Sequence, residues 1–155
     1  MRDVLPNTDL SLVCRVSTRL CALPLERVSE TMRPLPVDPL AGASRPVRGI
    51  AIIRGVPMPV VDAGWLFTDE EFHPTRFVIV RVDTRRVALA VDAVIGVRPI
   101  PAERLNELPS LVKVAAPDAI AAIGVLDAEL LVILSNTRLV PESVWNAVEA
   151  GEGSK

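Results

Sequence analysis

Gly49-Ile50-Ala51-Ile52-Ile53-Arg54-Gly55-Val56-Pro57-Met58-Pro59-Val60-Val61-Asp62 reads as two apolar strands folded back on a two-residue turn. Gly55 supplies the positive φ that such a turn requires, which leaves Arg54 at the tip. Pro57 and Pro59 lie two apart, so both missing N–H donors face one side, an arrangement suited to an edge strand. The hairpin is therefore expected to border solvent or a partner. An arginine fixed at a turn beside apolar surface is either a solvated turn residue or an interface anchor.

The same construction recurs on both sides. Leu10, Leu12, Cys14 and Val16 share one face of a period-2 strand, and Cys21, Leu23 and Leu25 share a face of the next. A turn at Ser17-Thr18 would set Leu12 opposite Leu23 and Cys14 opposite Cys21. A disulfide there is conceivable, although two buried thiols suit a reducing compartment. Val78, Val80 and Val82 alternate in the same way, and a turn at Thr84-Arg85 would set them opposite Val91, Leu89 and Val87.

These strands fall into an internal repeat of about 70 residues. Ala22 to Val28 aligns with Ala88 to Val94, and Arg33-Pro34-Leu35-Pro36 with Arg98-Pro99-Ile100-Pro101. Gly49-Ile50, Asp62 and Leu66 align with Gly124-Val125, Asn136 and Leu139. The expected architecture is all-β: two small barrels, at about residues 10–67 and 76–140, joined by a connector at 68–75 and followed by a helix at 141–150. Fourteen prolines and eight glycines suit many short strands and tight turns.

Composition narrows the function. The 155 residues carry 19 acids against 17 bases, a net charge of −2, and the bases are scattered, which disfavours a polyanion binder. Two cysteines with six residues between them match no zinc pattern. The longest apolar run, Ala119 to Leu134, holds Asp127 and Glu129 and is too short and polar to span a bilayer. The first residues lack a signal-peptide pattern, so a cytoplasmic chain is expected.

Catalytic equipment is sparse. There is one histidine, His73, in a polar connector, and no tyrosine. Asp69-Glu70-Glu71 reads as a solvated run, and Asp62 and Asp92 read as caps of the turns that follow their strands. No cofactor or metal is expected, and a small enzyme or ligand-binding barrel is the rival reading.

The chain resembles the CheW family of chemotaxis coupling proteins from about Leu10 to Val148. Four segments carry the likeness: Pro24-Leu25-Glu26-Arg27-Val28-Ser29-Glu30; Gly49 with Ile53-Arg54-Gly55 and Pro59-Val60-Val61-Asp62; Val91-Asp92-Ala93-Val94; and Gly124-Val125 with Ile133-Leu134-Ser135-Asn136 and Leu139. The resemblance implies two intertwined barrels like SH3 domains, no enzymatic step, and a scaffold linking the cytoplasmic tip of chemoreceptors to the regulatory domain of a CheA-type histidine kinase. Neither nucleic-acid binding nor membrane insertion is implied.

Carried over by position, the receptor contacts fall on Val28, Glu30, Gly49, Arg54 and Val97. Gly55 and Asp62 are turn positions. Kinase contact, placed by exclusion, falls on Ile52, Val56 and Met58. The family's frequent asparagine two before the turn arginine is Ile52 here, Pro57 is an added proline, and Ala63 replaces a usual leucine. These departures leave open an adaptor that binds only one of the two partners, or one that serves an output other than flagella.

Overall fold

The computed structural model describes residues 10–42, 46–67, 74–100, 120–127, 129–134 and 140–153. His73, Asp69-Glu70-Glu71, Asn136 and Leu139 lie outside the described residues. Ten strands and two helices follow in order: β1 Leu10–Val16, β2 Arg19–Pro24, β3 Val28–Met32, β4 Val47–Ile53, β5 Val56–Asp62, α1 Gly64–Phe67, β6 Arg76–Val82, β7 Arg85–Val91, β8 Ala93–Pro99, β9 Ile120–Leu126, β10 Glu129–Leu134 and α2 Glu142–Gly153. A 3-10 turn, Leu25–Arg27, links β2 to β3.

The strands form two five-stranded sheets, in the orders β8-β1-β2-β10-β9 and β3-β6-β7-β5-β4. Advancing every strand of the first order by five gives the second. The internal repeat is therefore a structural one, but the division at residues 68–75 does not separate the sheets. β1 and β2 leave the first half of the chain to join β8, β9 and β10, and β6 and β7 join β3, β4 and β5. This exchange, in keeping with the intertwining that the resemblance implies, places the apolar faces of the hairpins against each other in one shared core.

Leu12, Cys14, Val16, Cys21 and Leu23 from the first sheet meet Val61, Val78, Val80, Val87, Leu89 and Val91 from the second in one shared core, closed by Val144, Trp145 and Val148 of α2. The reverse faces are buried too. Ala51, Ile53, Met58, Val60, Phe77, Ile79, Ala88 and Ala90 make a core within the second sheet, and Val13, Leu20, Ala22, Ile100 and Leu131 one within the first. Removing any large member, such as Leu89 to alanine, would cost about 2–5 kcal/mol.

Leu12 pairs with Leu23 and Cys14 with Cys21, the register expected from alternation. Both cysteines are free and buried, and the Cys21 thiol is pushed well above its ordinary value by its hydrogen bond with Cys14 and by burial. The β6–β7 register differs from expectation. Val80 pairs with Val87 and Val78 with Leu89, because the turn is Asp83-Thr84 and not Thr84-Arg85. Asp83 takes φ 58°, as Ser17 takes φ 56° at the equivalent turn. The two-residue slip preserves the face of every side chain, so the core survives it.

β5 is not an edge strand along its whole length. It pairs with β4 throughout, and with β7 in parallel at Val60, Val61 and Asp62. In that register the next donor to β7 would be the amide of residue 59, to the carbonyl of Arg86. Pro59 has no amide hydrogen, nor has Pro57 beyond it. The parallel ladder stops there, and β5 and β7 part into a cleft of about 320 Å³ lined by Val56, Met58, Arg86, Trp145 and Val148.

Candidate functional site: the β4–β5 hairpin and its neighbours

Arg54 and Gly55 take φ 52° and 80°, both positive, as a type I′ hairpin turn demands. A Cβ on Gly55 would meet nothing within 4 Å, so only the backbone conformation selects glycine there. The Arg54 guanidinium reaches across to β3. Its Nε donates to Glu30 Oε2 at 2.8 Å and its Nη2 to Oε1 at 2.7 Å. This fork holds the Glu30 carboxyl below the usual carboxylate range, chiefly through the Arg54 hydrogen bonds, and Arg86 adds to it through space.

Gly49 sits on the same hairpin under a different constraint. Asp38 bridges to β4, its N–H donating to the Ile50 carbonyl at 2.8 Å and its carbonyl accepting the Ile50 N–H at 2.9 Å. A Cβ on Gly49 would lie 2.1 Å from the Asp38 carbonyl oxygen, and the glycine's φ is +152°. The position is one of close approach between backbones.

The remaining positions divide by exposure. Ile52, Val56 and Val97 are exposed at 58%, 39% and 47%. Val28 is half-buried against the shared core. Met58 is only 2% exposed, so its expected place on a partner surface is corrected: alternation along β5 turns it inward onto Phe77 and its neighbours. Ile52 and Val56 are left as the apolar surface of the hairpin. Val97 lies on β8, in the other sheet from Glu30 and Arg54.

Asp62, at the end of β5, is fully buried. Its Oδ1 accepts the Gly64 N–H at 2.9 Å, which starts α1, and its Oδ2 accepts from Arg48 Nε at 2.5 Å. Burial pushes this carboxyl above its ordinary value, while Arg48 and the backbone N–H groups of Gly64 and Trp65 pull it down. Arg48 also lies over the Trp65 ring, 4.9 Å from its centroid. Asp92 serves a turn as well, its Oδ2 accepting the Ser17 N–H at 2.6 Å.

Several charged residues around these elements gave no signal as isolated sequence positions. Arg98 on β8 donates to Asp127, at the β9–β10 turn, at 3.3 Å. Arg85 lies over Trp145, 4.8 Å from the ring centroid, and bonds Glu142 and Glu149, which fixes α2 to the β6–β7 turn. Arg81 and Arg86 flank that turn directly opposite each other. The clue was the repeated Val-x-Thr-Arg at Val16-Ser17-Thr18-Arg19 and Val82-Asp83-Thr84-Arg85, which marks equivalent turns.

Among the described residues no group of three or more His, Cys, Asp or Glu could hold a metal ion, and no helix is long and apolar enough to cross a membrane. The site offers a fixed guanidinium–carboxylate fork, exposed aliphatic side chains and a shallow cleft. Such equipment is of the kind found at protein–protein interfaces.

Comparison with known proteins agrees with this geometry. No curated protein matches the sequence. Among solved structures, scaffolding protein TtCheW from Thermoanaerobacter tengcongensis superposes with a TM-score of 0.72 at 20% identity, over 86% of this chain and 97% of that one, which establishes a common fold. The model of the CheW-like domain matches residues 11–144. The chain therefore belongs to the CheW-like domain family, a family of non-enzymatic scaffolds.

Proposed function

We propose that this chain couples chemoreceptors, the methyl-accepting chemotaxis proteins, to a CheA-type histidine kinase in a chemosensory array. It works as one CheW-like unit, in the cytoplasm, held near the membrane through the receptors. Each five-stranded sheet is read as an SH3-like barrel, and the Arg54–Glu30 fork, which joins the first strand of one sheet to the hairpin at its other edge, supports that reading.

The observation that carries the proposal is the hairpin itself. A guanidinium held on a positive-φ turn, fixed by two hydrogen bonds and flanked by exposed Ile52 and Val56, is pre-organised for an interface and has no use in a core. Glu30 and Arg54, with Val28 beside them and Val97 on the other sheet, form the receptor-facing set. Gly49 serves it by letting β4 lie close to Asp38. Ile52 and Val56 form the kinase-facing set.

Exposure of Ile52 also favours a second reading, an adaptor that engages one partner only, because an isoleucine at that point alters which surface fits. Co-sedimentation of the purified protein with receptor-containing membranes, with and without the kinase, tests both. Receptor-dependent pelleting that recruits kinase supports coupling. Pelleting without kinase recruitment supports the one-partner reading, and absence of pelleting and of kinase binding overturns both.

A further inference from the structure

At the end of the second-sheet core nearest the hairpin tip, four charged side chains share one face. Phe77 and Ile79 of β6, and Ala88 and Ala90 of β7, point into that core. Arg81 lies two residues beyond Ile79, and Arg86 two before Ala88, so both continue the same faces to the rim. Glu30, paired with Ile79 in the β3–β6 register, lies there too and brings Arg54 with it.

Charge at this rim is unbalanced. Arg81 and Arg86 are directly opposed in the β6–β7 register, and both are exposed. Like charges set opposite each other destabilise a pair of strands. Arg81 donates to the Glu26 carbonyl oxygen, a neutral acceptor. Neither Arg81 nor Arg86 forms an ion pair with a carboxylate of a described residue, and Glu30, the one acid within the set, is already forked by Arg54. Three guanidiniums thus face solvent around one committed carboxylate, on a chain whose net charge is −2.

We infer that Arg81 and Arg86 extend the receptor-facing surface and make it selective for a partner that presents carboxylates, an acidic face on the receptor's cytoplasmic tip. The inference rests on the proposed function, since it shares the Arg54–Glu30 surface. The occupant's acids relieve the repulsion between the opposed arginines, so two positions that weaken the isolated strand pair strengthen the complex. Arg85 is not part of this set, because it points to the other face, onto α2.

The test measures binding of the full-length protein to a synthetic two-helix fragment of a chemoreceptor's cytoplasmic tip. The fragment is made with its carboxylates intact and with them replaced by glutamine. Arg81→Gln with Arg86→Gln should weaken binding to the intact fragment by roughly tenfold and flatten its dependence on salt. The same double change should leave the melting temperature equal to or above that of the parent. Arg81→Lys with Arg86→Lys should retain most of the affinity, and the glutamine fragment should bind the parent as weakly as the intact fragment binds the double-glutamine variant. Affinity of the double-glutamine variant within about twofold of the parent would overturn the inference. So would a loss that falls on the kinase regulatory domain and spares the receptor fragment. Arg54→Ala, run alongside, separates the two levels: a loss there without one at Arg81 and Arg86 sinks the inference alone. A parent protein that binds no fragment sinks the proposed function with it.

Discussion

Arg54 and Glu30 are bonded to each other by two parallel hydrogen bonds that connect β3, at one edge of the second sheet, to the β4–β5 hairpin at the other. The first sheet has a counterpart with the charges reversed. Arg98 on β8 bonds Asp127 at the tip of the β9–β10 turn, and Asp127 and Arg54 take nearly the same positive φ, 50° and 52°. β8 and β9 stand to the first sheet as β3 and β4 do to the second. The repeat has kept a turn residue that reaches the far edge strand while exchanging which end carries the positive charge. One sheet therefore offers a cation at its tip and the other an anion.

The fork serves two purposes that a charge exchange can separate. Arg54→Ala should weaken binding to a receptor tip by about 1–3 kcal/mol, as truncation of an interface anchor does, with only a small fall in melting temperature. Glu30→Arg combined with Arg54→Glu restores a fork of opposite polarity across the same strands. It should recover the melting temperature of the parent but not the binding. Recovery of both would show that the fork acts only by joining the strands.

Acid should open the fork. Arg54 holds Glu30 below the ordinary glutamate value of ~4.3. A carboxylate with a lowered folded pKa adds stability that is present above its unfolded pKa and is lost as pH falls through the folded one. Glu30→Gln should therefore lose less stability than the parent between neutral pH and the acid side of that window. Denaturant midpoints across the pH range would check this, and parallel curves for the two proteins would contradict it.

Two glycines on one hairpin predict different failures. Gly55→Val forces a β-branched residue into the left-handed region but meets no neighbour, and should cost about 1–2 kcal/mol. Gly49→Ala drives a methyl group into the Asp38 carbonyl and should cost about 2–3 kcal/mol, with loss of the Asp38–Ile50 bridge. Thermal melts rank the two. Amide exchange at Ile50 should accelerate in the alanine variant and not in the valine one.

Alternation in Leu10 to Val16 and in Val78 to Val82 made the shared core legible, because each strand had one consistently apolar face. The tip was legible from Arg54-Gly55, since only a two-residue turn uses that pair between apolar runs. Three things were not. Exchange of hairpins between halves leaves no mark on local periodicity, which is the same whichever sheet a strand joins, and only the family resemblance implied it. The turn at Asp83 was missed because a non-glycine at positive φ is no stronger a signal than its neighbour Thr84. Met58 was misplaced because Val56 and Met58 share a parity, and only the depth of the sheet at each position separates an exposed end from a buried middle. The opposed arginines followed from the corrected register and were invisible without it.

The cleft beside Val56 depends on two absent amide hydrogens. Pro59→Val returns a donor opposite the Arg86 carbonyl, in a register already set by Val60 and Ala88. The variant should extend the parallel ladder by one hydrogen bond, worth about 0.5–1.5 kcal/mol, offset in part by the greater chain entropy of valine over proline. The amide of residue 59 should then be protected from exchange. An unprotected amide at residue 59 would show that the proline is not what ends the ladder.

Asp62 predicts the opposite pH behaviour to Glu30. Burial raises its pKa against the pull of Arg48, so the folded protein keeps a proton that the unfolded chain has already released. Stability from this group accordingly falls as pH rises from the ordinary aspartate value of ~3.9 through the raised folded one, and is level above it. Asp62→Asn should abolish that fall, because the amide keeps an oxygen for the Gly64 N–H and carries no charge to bury. At neutral pH, Asp62→Ala should cost about 2–4 kcal/mol, since it removes both the cap of α1 and the carboxylate bonded to Arg48. Urea midpoints with an unchanged slope would measure each effect. A parent and Asp62→Asn protein with the same dependence on pH would mean that the carboxyl is ionised at no net cost, and that Arg48 fully compensates its burial.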